Sequence, residues 1–171
     1  MMMRRVVFYG MIIAQVVLIV ILAWQFQSSL SNGREVTLMT KPDDSEEMYA
    51  YDLIDDYYAQ FDINYIPEKQ MDGKPSQNDS IYVLLTKKEG VYEVKQASTT
   101  IDTPNKNEIM LQGTYMYHDN DEKAYYIEYG FEHVKNMDKY GDFTNQDKLK
   151  VTLNYVEKWN QYEMMDMEQV E

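Results

Sequence analysis

Carboxylates and phenols occur side by side in one short part of the sequence. Asp52, Asp55 and Asp56 precede Tyr57 and Tyr58. If this part is a strand, adjacent side chains point to opposite faces, so Asp55 and Asp56 cannot share one site. The functional interpretation is a contact that Asp52 or Asp56, together with Tyr57, makes to a ligand, cation or partner. The alternative is a solvated turn without a binding role, and the sequence favours that alternative.

A second candidate is the box Tyr129-Gly130-Phe131-Glu132, which follows an aromatic run. A glycine inside a strand marks a bulge, or a place where another backbone or a ligand comes close. In the structural interpretation, which we favour, Gly130 relieves crowding among the aromatic side chains around it. In the functional interpretation, Gly130 opens a cleft beside Glu128 and Glu132, where Tyr129, Gly130 and Glu132 contact a ligand or partner.

Metal and nucleophile chemistry has little support in the sequence. The acidic run Asp119-Asn120-Asp121-Glu122 lacks the spacing, glycine and distal glutamate of an EF-hand loop, which favours a hairpin tip. His118 and His133 are the only histidines, and there is no cysteine to complete a zinc site. No serine lies in a G-x-S-x-G elbow. We therefore predict no metal, no cofactor and no catalytic residue.

An apolar segment, residues 6–26, predicts where the chain resides. It holds no charged residue, and at about 1.5 Å per residue a helix of this length spans about 30 Å, the thickness of a hydrocarbon core. Arg4 and Arg5 precede it, which predicts that residues 1–5 are cytoplasmic and that the C-terminal domain is extracytoplasmic. A cleaved signal peptide fits less well, because signal segments are shorter and end at small residues, whereas Trp24 lies near this exit. A buried helix of a soluble core fits poorly, because such helices keep a polar face.

The rest of the chain is strongly acidic. Without Arg4 and Arg5 its net charge is −15, which repels phosphate backbones and anionic lipid headgroups. We therefore expect no nucleic-acid binding and no peripheral membrane binding, so contact with the lipid bilayer is assigned to residues 6–26. The absence of cysteine excludes disulfides and is compatible with a bacterial envelope. Length and composition predict a linker at residues 27–33 and a single domain at residues 34–171.

Runs of alternating polar and apolar residues predict about seven short strands. Two pairs of runs, 80–87 with 90–97 and 109–117 with 123–131, are interpreted as hairpins because a short polar connection joins each pair. Further strands are predicted at 34–40, from about Tyr57 to residue 66, and at 148–156, with 162–167 as its partner. The remaining segments are a loop or short helix at 46–56, a loop at 67–79 and a short helix at 133–141. The fold class is therefore mostly β, sandwich or barrel-like, or α+β with one or two short helices, behind a single transmembrane helix.

The order of these segments is also that of a known family. Three features match that family: the entry strand and turn Glu35-Val36-Thr37-Leu38-Met39-Thr40-Lys41-Pro42, the hairpin residues Tyr82-Val83-Leu84-Leu85 and Val91-Tyr92, and the box Tyr129-Gly130-Phe131-Glu132. In these features, over about residues 1–165, the chain resembles the GDYXXLXXXX proteins, bacterial membrane-anchored proteins of unknown function. The Gly-Asp-Tyr motif itself is absent. One register places it at Tyr51-Asp52-Leu53 and another at Asp55 or Asp56 with Tyr57, so the backbone role of the glycine is not carried over.

The resemblance implies an architecture and a neighbouring multi-pass membrane protein, but no chemistry. We expect a non-enzymatic binding or accessory module at the outer face of the cytoplasmic membrane, with another membrane protein as its partner. Sixteen tyrosines in so small a domain leave many partly exposed, which is typical of interaction surfaces. The alternative is an envelope hydrolase that uses Asp52, Asp56 or Glu132, and it requires these acids to share a pocket.

Overall fold

The chain divides into two compact units, Met1–Gly33 and Arg34–Glu171. The computed structural model describes residues 2–31, 33–42, 56–135, 143, 147–157 and 160–170. The first unit contains the helix α1 (Met2–Ser31), and the second contains every described strand. The division falls where the sequence predicts that the domain begins, but α1 continues through most of the predicted linker.

The helix α1 is apolar on all sides. Its sequence holds no charge between residues 6 and 26, and the large apolar side chains from Tyr9 to Trp24 are exposed. Within the part of the chain that the structure describes, however, no helix has the length and hydropathy required of a membrane span. The structure therefore gives the predicted transmembrane helix no support, and the anchor stays a proposal.

Eleven strands are described in the second unit. They are β1 (Arg34–Met39), β2 (Asp56–Tyr58), β3 (Tyr65–Pro67), β4 (Met71–Asp72), β5 (Ser80–Lys88), β6 (Val91–Ser98), β7 (Glu108–Asp119), β8 (Ala124–Glu128), β9 (His133–Lys135), β10 (Leu149–Val156) and β11 (Gln161–Gln169). They form three sheets in the orders β3-β8-β7-β5-β6-β4, β1-β10-β11 and β2-β9. The prediction of a mostly β domain is confirmed. The barrel alternative is wrong, because none of these sheets closes on itself.

The two predicted hairpins form the centre of the six-stranded sheet. β5 and β6 pair antiparallel across Glu89 and Gly90, whose φ values of 52° and 93° suit a two-residue turn that follows the twist of the strands. β7 pairs antiparallel with β5 on one side and with β8 on the other. A bulge between Tyr115 and Tyr117 adds one residue to β7 opposite β8. Both hairpin predictions are confirmed.

The C-terminal strands also pair as predicted. β10 lies between β1 and β11, antiparallel to both. The alternation of β10 buries Leu149, Val151 and Leu153, because side chains on a strand point to the two faces in turn. These side chains join Ile81 and Val83 of β5 in one hydrophobic cluster. The core is therefore built from side chains of both large sheets, and each fully buried Leu or Ile contributes about 1.5–3 kcal/mol.

Three local predictions are wrong. Residues 133–135 are not helical but form β9, which pairs with β2. The strand expected from Tyr57 to residue 66 is broken by a 3-10 helix, Asp62–Asn64. The expected loop at 67–79 contains a second 3-10 helix, Glu68–Gln70, and the strand β4. Residues 46–55 and 136–141, to which the other short-helix predictions refer, lie outside the described residues.

Candidate functional site

The box singled out in the sequence forms a tight corner between β8 and β9. The Glu132 carboxylate lies at its centre and is 0% exposed. Its Oε1 atom accepts hydrogen bonds from the Tyr129 backbone N–H at 2.7 Å and from Asn64 Nδ2 at 2.7 Å. Its Oε2 atom accepts a hydrogen bond from the Gly130 backbone N–H at 2.6 Å. The side chain of Glu132 therefore holds the backbone of its own box in place.

Asn64 links this corner to the preceding part of the domain. Its Oδ1 atom accepts a hydrogen bond from the Phe61 backbone N–H at 2.7 Å, and its Nδ2 atom also donates to the Ile127 carbonyl at 2.6 Å. The Ala59 backbone N–H donates to the Glu132 carbonyl at 2.8 Å, directly beside the pairing of β2 with β9. The role of Asn64 was not predicted from the sequence. An amide in the apolar run around Ile63 was the available signal, because a buried amide needs partners.

Gly130 has a conformational role rather than the predicted one of relieving crowding. Its φ is +91°, a backbone conformation that residues with a Cβ rarely adopt. Among the described residues other than its two chain neighbours, the atom nearest to a Cβ built on Gly130 is Tyr162 Oη, at 3.8 Å. Crowding is therefore the wrong reason, and the need for a positive φ is the right one. Tyr162 also donates a hydrogen bond from its hydroxyl to the Gly130 carbonyl.

The surroundings of Glu132 make it a structural carboxylate. Burial raises the pKa of the Glu132 carboxyl, and the hydrogen bonds donated to it offset part of that rise because they stabilise the charged form. Burial likewise raises the pKa of the Tyr129 phenol, whose hydroxyl donates to the Ile63 carbonyl at 2.9 Å. Both groups are buried and bonded to their own chain. These contacts support the structural interpretation of the box, and the contact of Tyr129 or Glu132 with a ligand or partner stays a prediction.

The structure does not describe the side chains of the other predicted site residues, Asp52, Asp56 and Tyr57. Asp52 lies outside the described residues. Asp56 and Tyr57 belong to β2, and their backbones pair with Lys135 and Val134, but their side chains are not among those described. Of the three acids that the hydrolase alternative uses, only Glu132 has a described side chain, so that alternative stays a prediction.

The acidic run at the tip of the second hairpin is a turn, as predicted. The Asp119 carboxylate accepts hydrogen bonds from the Asp121 and Glu122 backbone N–H groups at 2.8 and 3.0 Å. These bonds lower the pKa of the Asp119 carboxyl. His118 Nε2 lies 2.9 Å from Glu68 Oε1, so this histidine has a local partner. Among the described residues, no group of acids and histidines is placed to hold a metal ion.

A groove of about 470 Å³ opens beside β6 and the first 3-10 helix. Its lining includes Asp62, Lys148 and Tyr92, and Lys88 at its rim is paired with Glu93 at 3.2 Å. Partial burial raises the pKa of the Asp62 carboxyl, although Lys148 opposes that rise. No histidine or serine is present among the described lining residues. The ionisable groups in the described lining are therefore carboxylates, amines and phenols.

Four tyrosines form the cluster that best fits a contact surface, and we call them the tyrosine cluster: Tyr58, Tyr65, Tyr117 and Tyr126. Tyr126 is buried at its centre and shares a 2.6 Å hydrogen bond between hydroxyls with Tyr58. The Tyr117 ring stacks on Tyr126 at 4.9 Å between centroids, and Tyr65 meets it edge-on at 5.2 Å. Tyr58 is 38% exposed and Tyr117 is 48% exposed. The cluster thus presents aromatic surface to solvent on a rigid base.

Strand register assembles the cluster. Tyr65 of β3 lies opposite Tyr126 of β8, and Tyr126 lies opposite Tyr117 of β7, so the three side chains share one face of the sheet. Lys41 Nζ lies 3.9 Å above the centre of the Tyr65 ring and forms an ion pair with Glu122. Burial raises the pKa of Tyr58 to about 12 and also raises the pKa of Tyr65 and Tyr126. The hydroxyls therefore stay protonated at neutral pH and can donate hydrogen bonds.

The fold and these sites define a class of protein: an apolar helix followed by an open, mostly β domain with an exposed tyrosine cluster. The chain belongs to the GDYXXLXY family, whose model, described as GDYXXLXY protein, matches residues 15–158. The family prediction is confirmed. No curated protein and no solved structure is similar enough to this chain to count as a match. Of the two registers for the degenerate motif, the one that includes Tyr57 falls on β2, and the one at residues 51–53 lies outside the described residues.

Proposed function

We propose that this protein is a membrane-anchored, extracytoplasmic binding module that acts with another membrane protein. The anchor is supported by the uncharged run of residues 6–26, by Arg4 and Arg5 before it, and by the exposed apolar side chains of α1. A helix that is apolar all round requires an apolar environment. Because no described helix qualifies as a span, the anchor needs a direct experimental test.

The tyrosine cluster is the observation that carries the binding function. Tyrosine is enriched at interfaces because it combines a large apolar ring with a hydroxyl and has few rotatable bonds. Tyr58 and Tyr117 offer ring surface to a partner, while the buried Tyr126 keeps both rings in place. The charges of Glu122 and Asp119 add to the rise in the pKa of Tyr65, so acids lie close to the cluster, and the chain after α1 has a large excess of Asp and Glu. We therefore expect the partner to present an aromatic or apolar residue flanked by Lys or Arg.

The kind of partner follows from the tether. Seven residues lie between the apolar run of residues 6–26 and Arg34, where β1 starts, and extended residues span at most about 3.6 Å each. If residues 6–26 are embedded in the bilayer, this short connection favours partners at the membrane. An extracytoplasmic loop of an integral membrane protein meets this requirement.

Topology can be tested by cysteine labelling, because the chain contains no natural cysteine. Thr99, an exposed residue after β6, and Met3, before the apolar run, are replaced by cysteine one at a time in the full chain. A membrane-impermeant maleimide should label Thr99→Cys in intact cells and Met3→Cys only after lysis. Labelling of both variants in intact cells, or of neither, would refute the anchored topology.

The contact surface can be tested by photo-crosslinking in the native membrane. A photoreactive amino acid replaces Tyr117 in the full chain, and in a matched control it replaces Tyr92, a half-buried tyrosine outside the cluster. We expect an adduct with an integral membrane protein from position 117 only, and we expect Tyr58→Ala to reduce it strongly. Equal adducts from both positions, or an adduct unaffected by Tyr58→Ala, would contradict the assignment.

A further inference from the structure

The outer face of the six-stranded sheet carries a second surface, separate from the core. Because β5 directs Ile81, Val83 and Leu85 into the core, the residues between them point to the opposite side of the sheet. Tyr82 of β5 lies opposite Ser98 of β6 and Gln112 of β7. Aligned residues on neighbouring strands share a face. A row of three hydrogen-bonding side chains therefore crosses this face, and we call it the polar row.

Two shallow grooves lie along the polar row. The first, of about 190 Å³, is lined by Tyr82, Gln96 and Ser98, by the two carboxylates Asp72 and Asp102, and by the 69% exposed Ile101. The second, of about 210 Å³, has Gln112, Thr114 and Glu128 in its lining. Gln112 belongs to the polar row and lines the second groove, so the two grooves are neighbours across β5 and β7. With strands about 4.8 Å apart, the path from β6 to β8 is long enough for an oligosaccharide of a few rings.

The polar groups of this face have spare hydrogen-bonding capacity. Among the described residues, none forms a hydrogen bond with the Tyr82 hydroxyl or with the Gln96 amide. Gln112 Nε2 has only a long contact to Ser80 Oγ, at 3.5 Å. Such groups gain most from a ligand that brings its own donors and acceptors.

The composition of the grooves selects the class of ligand. No lysine or arginine is present among their described lining residues, whereas Asp72, Asp102 and Glu128 are. Phosphates and acidic polymers are therefore repelled. A tyrosine ring can cover the apolar face of a sugar ring, while amides, hydroxyls and carboxylates bind sugar hydroxyls in both hydrogen-bonding senses. We propose that the outer face of the six-stranded sheet is a binding site for a neutral oligosaccharide, centred on Tyr82 and Gln96.

The proposed partner surface uses other residues, so the two can be tested apart. The full chain is purified in a detergent without a sugar headgroup, since such headgroups would compete for the site. Short neutral oligosaccharides of glucose, mannose, galactose and N-acetylglucosamine are titrated by calorimetry. Tyr82→Ala should weaken binding about tenfold or more, as expected for the loss of a stacked ring worth about 1.4 kcal/mol. Gln96→Leu, at an exposed position, should weaken it about fivefold, as expected for the loss of one hydrogen bond.

Tyr117→Ala is the matched control, because it removes a tyrosine from the partner surface and leaves the polar row intact. It should bind the oligosaccharide like the natural chain, whereas Tyr82→Ala should keep the photo-crosslinked adduct from position 117. Melting temperatures of the variants confirm that they remain folded. If no neutral oligosaccharide binds, if Tyr82→Ala and Gln96→Leu leave binding unchanged, or if an acidic polysaccharide or a peptide binds in preference, the proposal is refuted.

Discussion

Replacing Glu132 with glutamine should destabilise the domain strongly although it changes only one atom and one charge. Both carboxylate oxygens accept N–H donors, from Tyr129 and Asn64 on one side and from Gly130 on the other. A glutamine can keep its oxygen on the first side, but its NH₂ group then faces the Gly130 N–H. One charge-assisted hydrogen bond worth about 1.5–3 kcal/mol is lost, and the partly buried Gly130 N–H is left without this acceptor. The lower cost of burying a neutral amide offsets part of this loss, so we expect a net cost of about 1–3 kcal/mol.

The assay is urea unfolding of the full chain in detergent at neutral pH, followed by the near-ultraviolet circular dichroism of the tyrosines. The matched control is Glu128→Gln, the same substitution at a half-buried position on β8 that lines an open groove. It should cost less than about 0.5 kcal/mol, as surface substitutions do. If Glu132→Gln costs no more than this control, the carboxylate does not hold the corner as we infer.

Three further expectations concern the glycines and the acidic tip. Gly130→Val should cost more than about 1.5 kcal/mol in the same assay, because a β-branched residue is strained at φ +91°, and an unchanged midpoint would contradict this. Gly113→Ala should cost about 1–3 kcal/mol for a different reason: its Cβ would lie 2.5 Å from Ile127 Cγ2 and 2.9 Å from the Glu128 carbonyl oxygen, and a crystal structure of the variant should have β8 displaced. Asp119→Ala should destabilise the domain less than Gly130→Val, because the two backbone N–H groups that Asp119 accepts from are exposed and can bond to water. Calcium should leave the melting temperature unmoved, whereas a calcium-dependent rise would identify a metal site at the tip. The lowered pKa of Asp119 means that its hydrogen bonds form above that pKa and are lost as the pH falls through it, so the backbone amide resonances of the tip should titrate below the ordinary value of 3.8.

The parts of the fold that could be predicted from sequence are those with a local cause. The hairpin of β5 and β6 depends on a turn whose glycine has a positive φ, and the run at β10 has a strict alternation that only a half-buried strand explains. The strand predicted across Phe61 and Ile63 failed because both residues are buried for another reason. Asn64 accepts a hydrogen bond from the Phe61 backbone N–H and so caps the 3-10 helix Asp62–Asn64. Two apolar residues in a row of polar ones do not distinguish such a helical turn from a strand. The strand β9 was not predicted because three residues are too few to show an alternation of polar and apolar side chains.

In the candidate sites, too, the features with a local cause could be predicted from the sequence and the others could not. The box at Gly130 could be singled out because a glycine among aromatic residues indicates a special backbone conformation. The reason expected from the sequence, relief of crowding, was wrong, and the positive φ is the reason that the structure gives. Its partner Asn64 lies far away in the sequence, and nothing in the spacing of either residue predicts that they meet. The tyrosine composition predicted exposed phenols in general. Which of them group together depends on the register of β3, β8 and β7, including the bulge in β7, and no single-sequence pattern specifies a bulge.

The buried corner and the exposed tyrosines are connected through β2. Tyr58 ends this strand and donates to or accepts from the Tyr126 hydroxyl, and its backbone pairs with His133, the residue after Glu132. The carboxylate of Glu132 fixes the turn that brings β9 to β2, so it also fixes the position of one of the two exposed rings. A variant that loosens the corner should therefore weaken partner crosslinking even where the domain stays folded. Because Tyr129 and Gly130 also line the second groove beside the polar row, binding in that groove should change as well.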